Sequence, residues 1–388
     1  MHKEIKTKII NAVSAVLTIP FSVILVAALL HIPVLSVFNI WLEPLILHLT
    51  LVMLFIAAFD FLLLHHEKSK YRSVIAGIAA AGLLACAVMA SGELITAARH
   101  RVKVDVAAAL QGEPALIPYD GEGEYMTYEG RCYNMTVWLP KNTEEKAPIL
   151  LWIHGGGWIE GSSRDDAGNC RFFSEQGYLV VSAEYPLSSS EEHLYVAQQG
   201  AIAKAALWLK YNASRLGGDM EKLCLGGGSA GGNLAVAVAA RINKGELDAI
   251  LGDRLPRVKA VSVCYPAVDP AAIYYSGDPV LKNQIRSMCL NNWGGSPEEY
   301  PERYAESTSE LLADESMAPT LMMYGRHDHV VSCKTISGFS EKLDELGVDR
   351  YSVIFPFADH GCDSDNTIEC QTWRQKTLEW FEKYCNQA

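Results

Sequence analysis

Hydrophobic and polar positions fall into two regimes along this chain. In the first hundred residues the apolar runs are long: Ile9 to Leu30 is 22 residues without a charge, Leu45 to Leu64 is 20 with only Asp60, and Ser73 to Gly92 is 20 with none. About 20 apolar residues, rising ~1.5 Å each, cross the roughly 30 Å hydrocarbon layer of a bilayer. An anchor of residues 1–103 with three transmembrane helices, at about 9–30, 45–64 and 73–92, is therefore expected.

From residue 126 onward the apolar runs shorten and change period. "CYNMTVWLP" alternates as a strand does, while "APILLWIHG", "GYLVVSAEY", "KLCLGGG", "VKAVSVCYP", "PTLMMYG" and "YSVIFPF" are short continuous runs. Continuous runs of this length suit strands buried on both faces. Between them "AQQGAIAKAALWLKYNA", "NLAVAVAARINK", "SGFSEKLDELG" and the closing "NTIECQTWRQKTLEWFEKYC" carry helical spacing. The alternation predicts an α/β domain over 126–388, with a mostly parallel central sheet flanked by helices and ligands at the carboxyl ends of the strands. The acidic, Gly/Pro-bearing stretch 104–125 reads as a linker. Residues of about 270–315, rich in Tyr, Trp, Pro and acids, read as a lid inserted over the strand ends.

Charge refines this picture. The formal net charge is -12, with nine Lys/Arg and five Asp/Glu in residues 1–103 against 24 and 40 in the remainder. Such an acidic domain lacks the basic surface that nucleic-acid binding needs. Lys3, Lys6 and Lys8 precede the first span, Lys68, Lys70 and Arg72 lie between the second and third, and His31 to Pro44 has no Lys or Arg. The positive-inside rule then puts the N-terminus in the cytoplasm and the α/β domain outside, across a plasma membrane, with Arg99, Arg101 and Lys103 opposing. Asp60 is expected near the headgroups or bonded to a neighbouring helix. The ten cysteines form no CxxC pair and no Cys/His cluster of zinc spacing, so no metal is expected. Cys224 and Cys264 read as buried thiols, and Asn134 and Asn212 head glycosylation sequons.

Glycine is costly to order, so the run "GGGSAGG" (Gly226 to Gly232) needs a reason. A Walker loop would require a lysine that is absent. A GxGxxG reading through Gly226, Gly228 and Gly231 lacks its acid in the next strand. The pattern that fits is GxSxG, Gly227 to Gly231, where small neighbours let a strained strand-to-helix turn display Ser229 as a nucleophile. Such a serine needs oxyanion donors, a base and an orienting acid. "WIHGGGW" offers the amides of Gly156 and Gly157, and the helix start adds that of Ala230. Asp328 follows one buried strand and His360 the next, in the order Ser, Asp, His. His327 and His329 compete for the base role, and Asp359 or Asp363 for that of the acid. Cys333 and Cys362 flank these loops and could pair in an oxidising compartment.

Residues of roughly 130–385 resemble the hormone-sensitive-lipase-like esterases of the α/β-hydrolase fold. The likeness lies in His154-Gly155-Gly156-Gly157-Trp158, Gly227-Gly228-Ser229-Ala230-Gly231-Gly232-Asn233, Asp328 and His360-Gly361. It implies esterase or deacylase chemistry through an acyl-enzyme, with no metal or cofactor. Gly228 stands where the family usually has Asp, removing a carboxylate that braces the turn, and "SAEYPLSSS" departs from the family's strand end. The expectation is a membrane-anchored serine carboxylesterase acting on short-chain acyl esters, small and soluble or borne on a glycan. A peptidase or transacylase on the same residues and a non-catalytic binding module are the alternatives.

Overall fold

The long apolar runs become helices α1 (His2–Leu29), α2 (Ile46–His66) and α3 (Lys70–Arg99) in the computed structural model. The structure describes residues 2–141 and 145–385, and of residues 2–4 the backbone alone, so the Lys3 side chain lies outside the described residues. Three helical stretches, Ile5–Leu29, Ser36–His66 and Lys70–Arg99, are long and apolar enough to cross a membrane. Asp60 accepts hydrogen bonds from Ser14 (2.5 Å) and Thr18 (2.6 Å) of α1, so its carboxylate joins two helices. The third helix runs past the expected end at 92. Gly92 and Glu93 interrupt the apolar run but not the helix, because Glu93 is buried and accepts from the Phe357 amide at 2.8 Å.

A similar local explanation applies to the segment expected as a linker. Residues 104–125 hold a helix, α4 (Val106–Gln111), N-capped by Asp105, and then the start of strand β1 (Gly121–Tyr128). The Gly/Glu-rich sequence hides a strand because β1 is a sheet edge: Glu122 and Glu124 face solvent, and backbone pairing with its neighbour holds it. Edge strands commonly carry charge in this way.

The remaining strands are β2 (Arg131–Trp138), β3 (Ala147–Ile153), β4 (Leu179–Ala183), β5 (Gly218–Gly228), β6 (Ala260–Cys264), β7 (Thr320–Gly325) and β8 (Arg350–Phe355). They form one eight-stranded sheet in the order β1-β2-β4-β3-β5-β6-β7-β8, antiparallel across β1, β2 and β4 and parallel from there on. Every position of β4, β6 and β7 is buried, as their unbroken apolar sequences require. The covering helices are α5 (Ala167–Glu175), α6 (Tyr195–Asn212), α7 (Ser229–Lys244), α8 (Lys282–Trp293), α9 (Cys333–Glu345) and α10 (Ile368–Cys385). The expected lid is helical: α8 and the short helices Pro270–Tyr274, Pro301–Ala305 and Ser309–Leu312 fill the excursion between β6 and β7.

Bundle and sheet meet in a packed seam. Asn39, in the segment between α1 and α2, donates to the Phe357 carbonyl (2.8 Å), and Ser36 Oγ lies 3.0 Å from His329 Nε2. Glu43, Glu93 and Glu369 converge there from three parts of the chain, all buried, with one carboxylate oxygen of each within 4.8 Å of the others. Among the described residues this is the one His, Cys, Asp or Glu group close enough to share a cation. Burial pushes the Glu369 carboxyl up to about 7.

Candidate active site

The end of β5 answers the question raised by the glycine run. Strand becomes helix at Ser229 with no intervening loop, which puts Ser229 at φ 54°. A non-glycine residue there is strained and is held by its surroundings. Those surroundings tolerate no side chain: a Cβ on Gly227 would lie 2.5 Å from the Ile153 carbonyl oxygen, and one on Gly231 2.1 Å from the same atom. The turn is clamped against the end of β3, and Ser229 projects from it.

Three side chains meet over the strand ends. His360 Nε2 lies 2.9 Å from Ser229 Oγ, and His360 Nδ1 lies 2.9 Å from Asp328 Oδ2. With Nδ1–H donating to the carboxylate, Nε2 is left to accept from the serine hydroxyl. The Asp328 side chain is fully covered, and its other oxygen accepts from the Val330 (2.8 Å) and Val331 (2.7 Å) amides. The other candidates are engaged elsewhere. Asp359 accepts from His329 Nδ1 (2.6 Å) and from the backbone amides of His329 and His360. Asp363 accepts from Tyr265 and Asn169, and His327 packs against the rings of His31 and Phe357.

Burial alone would lower the His360 pKa. The Asp328 charge and hydrogen bond, together with the Asp359 and Asp363 charges, outweigh it and hold the imidazole above its ordinary 6.5. His327 lacks such a partner, and burial drives it down to about 4. If neutral His360 is the base, kcat/KM rises with pH through a single limb whose midpoint lies above 6.5. A profile from pH 5 to 9 with its midpoint below 6.5 would contradict this assignment.

A cavity of about 350 Å³ opens beside Ser229, lined among others by Gly155, Gly156, Gly157, Tyr265 and His360. Gly156 (φ 106°) and Gly157 (φ 57°) occupy left-handed backbone, and a Cβ on Gly157 would overlap Met288. Neither amide has a backbone acceptor among the described residues. Ala230 is buried and does not line the cavity; its amide stands in the first turn of α7, without an intrahelical partner.

Several contributors had no motif to announce them. The space beside Gly228, where a carboxylate would brace the turn, holds Tyr265, whose hydroxyl would lie 3.2 Å from a Cβ there and donates to Asp363. Tyr265 also packs on the His360 ring at 4.5 Å between centroids. Met288 and Ile285 come from α8, and Ile40 and Trp41 from the segment between α1 and α2. All ten cysteines are free, so Cys333 and Cys362 form no bridge. The former opens α9 beside Ser337, while the latter is buried near Glu43 and Glu369.

A family described as BD-FAE matches residues 135–343, more than half of the chain. LipM of Mycobacterium tuberculosis, described as a probable carboxylic ester hydrolase, is 25% identical over 255 residues, 63% of this chain and 56% of that protein. Versiconal hemiacetal acetate esterase of Aspergillus parasiticus is 35% identical over 133 residues, 34% of this chain and 37% of the relative. The matches thus span about half or less of these relatives. Among solved structures, the propionate-bound esterase Est2 of Thermogutta terrifontis superposes with a TM-score of 0.56 at 19% identity, covering 69% of this chain and 94% of its own. An acetyl ester-xyloside bifunctional hydrolase of Caldicellulosiruptor lactoaceticus gives 0.58 at 18% identity, covering 70% and 98%. These likenesses carry the α/β-hydrolase fold.

Proposed function

Because the chain belongs to the BD-FAE family, we propose that it is a serine carboxylesterase, anchored in a membrane by α1–α3, that cleaves short acyl esters. The observation that carries this reading is the unbroken line of hydrogen bonds from Asp328 through His360 to Ser229 beside two free glycine amides. Ser229 Oγ attacks the ester carbonyl as His360 Nε2 takes its proton. The amides of Gly156, Gly157 and Ala230 hold the oxyanion, each such donor lowering the barrier by roughly 3–4 kcal/mol. Collapse expels the alcohol, protonated by His360, and leaves an acyl-enzyme. Water, deprotonated by the same imidazole, then releases the acid. Asp328 keeps His360 in the required tautomer and stabilises its cation.

The size of the cavity supports a short acyl group, since it lies near the small end of the roughly 300–1,000 Å³ common for ligand pockets. The names of the relatives agree: one is an acetate esterase, and Est2 is known with propionate and butyrate bound. Membrane anchoring rests on the three apolar helices. Six Lys/Arg at the start of α1 and around the junction of α2 with α3, against three at and just beyond the end of α3, support a catalytic domain outside the cytoplasm. The test uses the full chain in detergent. A fluorophosphonate should modify Ser229 alone, and chromogenic esters should give their highest kcat/KM between acetyl and butyryl. Absence of the Ser229 adduct would refute the serine mechanism, and a maximum at eight carbons or more would refute the short-acyl assignment.

A further inference from the structure

The lining of the cavity includes two residues of the membrane anchor, Ile40 and Trp41. They belong to a single helical turn, Asn39–Leu42, between the first two apolar helices. This turn is fixed in place. Val37 and Asn39 are buried, Ser36 and Asn39 are bonded to the loops after β7 and β8, and the His31 ring lies 4.5 Å from that of His327. Leu281, Ile285 and Met288 of the lid also line it. The lining of the catalytic cavity therefore includes apolar residues from the bundle and the lid together.

The outer face of the same segment is apolar as well. Trp41 is 62% exposed while lining the cavity, and Ile32, Val34, Phe38 and Leu45 around it are also exposed. Five exposed apolar side chains in one short segment, with the Phe38 and Trp41 rings 6.4 Å apart, are unfavourable in water and mark contact with lipid or another apolar phase. Its place along the chain selects lipid. Leu45 directly precedes α2, and Trp41 stands five residues before that helix begins, about 8 Å at ~1.5 Å per residue. A tryptophan so close to the end of a span belongs at the headgroup level. On this placement Trp41, which is both exposed and part of the cavity lining, brings the cavity to the bilayer surface.

We infer that the substrate is an amphiphile resident in the bilayer, whose ester group reaches Ser229 past Trp41 and Ile40 while its apolar remainder stays in the lipid. The inference rests on the esterase reading and on anchoring through α1–α3. It assigns the small cavity to the reacting end of a molecule too large for it. Trp41 acts as a specificity-determining residue in contact with the substrate at its entry.

The test uses the full-length protein in phosphatidylcholine vesicles and two fluorogenic butyrates with the same leaving group, one soluble (4-methylumbelliferyl) and one bilayer-borne (4-heptadecylumbelliferyl). The bilayer-borne ester should give at least a tenfold higher kcat/KM. Trp41→Ala should lower kcat/KM for it at least tenfold more than for the soluble ester, and Trp41→Phe should restore most of the difference. Partition into the vesicle raises the bilayer-borne rate in wild type and variant alike, so the change in ratio on substitution carries the result. Equal kcat/KM for the two esters, hydrolysis of the soluble one alone, or an equal loss on both in Trp41→Ala would overturn the inference while leaving the esterase intact. Turnover of neither ester, with no fluorophosphonate adduct at Ser229, would instead remove the esterase reading and this inference with it.

Discussion

Ser229→Ala lowers kcat for butyryl esters by on the order of 10⁵–10⁶, about 7–8 kcal/mol of barrier, and leaves the protein folded. The size follows from cooperation. Without the nucleophile, His360 has no hydroxyl to deprotonate and Asp328 no imidazolium to stabilise, so one deletion silences the whole line. What survives is the contribution of the Gly156 and Gly157 amides and of binding, roughly 10³–10⁴ above water. Folding is spared because the hydroxyl bonds only to His360 and the turn is clamped by Gly227 and Gly231, which the substitution does not touch. Steady-state turnover and a melting curve on the same preparation decide the matter. A loss below tenfold would show that another residue performs the attack.

A second large effect separates the acids from one another. Asp328→Asn should cost about 10⁴ in kcat, because an amide oxygen and nitrogen in place of a carboxylate no longer hold the productive tautomer. The pH profile should move with it. Asp328 supplies the leading charge that opposes burial at His360, so without it the midpoint of the limb shifts downward. His329→Ala removes a ring bonded to Asp359 and Ser36 and should cost tenfold or less. Comparable losses in His329→Ala and Asp328→Asn, or an unmoved midpoint in the latter, would assign the orienting role elsewhere.

The parts of the site that could be read from the chain are those where backbone sterics dictate residue type. Gly227 and Gly231 are legible because a Cβ has no room beside Ile153, and Gly156 because one would lie 2.1 Å from the Glu160 carbonyl oxygen. The strands were legible wherever both faces are buried, and β1 was not, since three of its eight positions face solvent and two of those are acids. Glu93 shows the same limit in reverse: a charge after an apolar run looks like the end of a helix until Phe357 supplies its partner. Tyr265 and Asp363 are 98 residues apart and no local pattern links them. Ile40 and Trp41 were hidden most completely. Between two apolar helices an apolar turn has no distinguishing composition, and only docking against the catalytic domain separates a wall residue from a lipid-facing one.

The seam of Glu43, Glu93 and Glu369 also sets an order of events in time. A ribosome delivers Glu369 326 residues after Glu43, on the order of 15–65 s later at typical synthesis rates. For that interval the first two carboxyls wait beside the bilayer without the third, and the turn carrying Trp41 has no β7 and β8 loops to rest on. On the membrane-anchored reading, α1–α3 enter the bilayer before the seam that braces them is complete, which waits for α10 to bring in Glu369. On the esterase reading, hydrolytic competence waits as well, for His360, so a nascent chain that already carries its spans stays inert until these later elements follow.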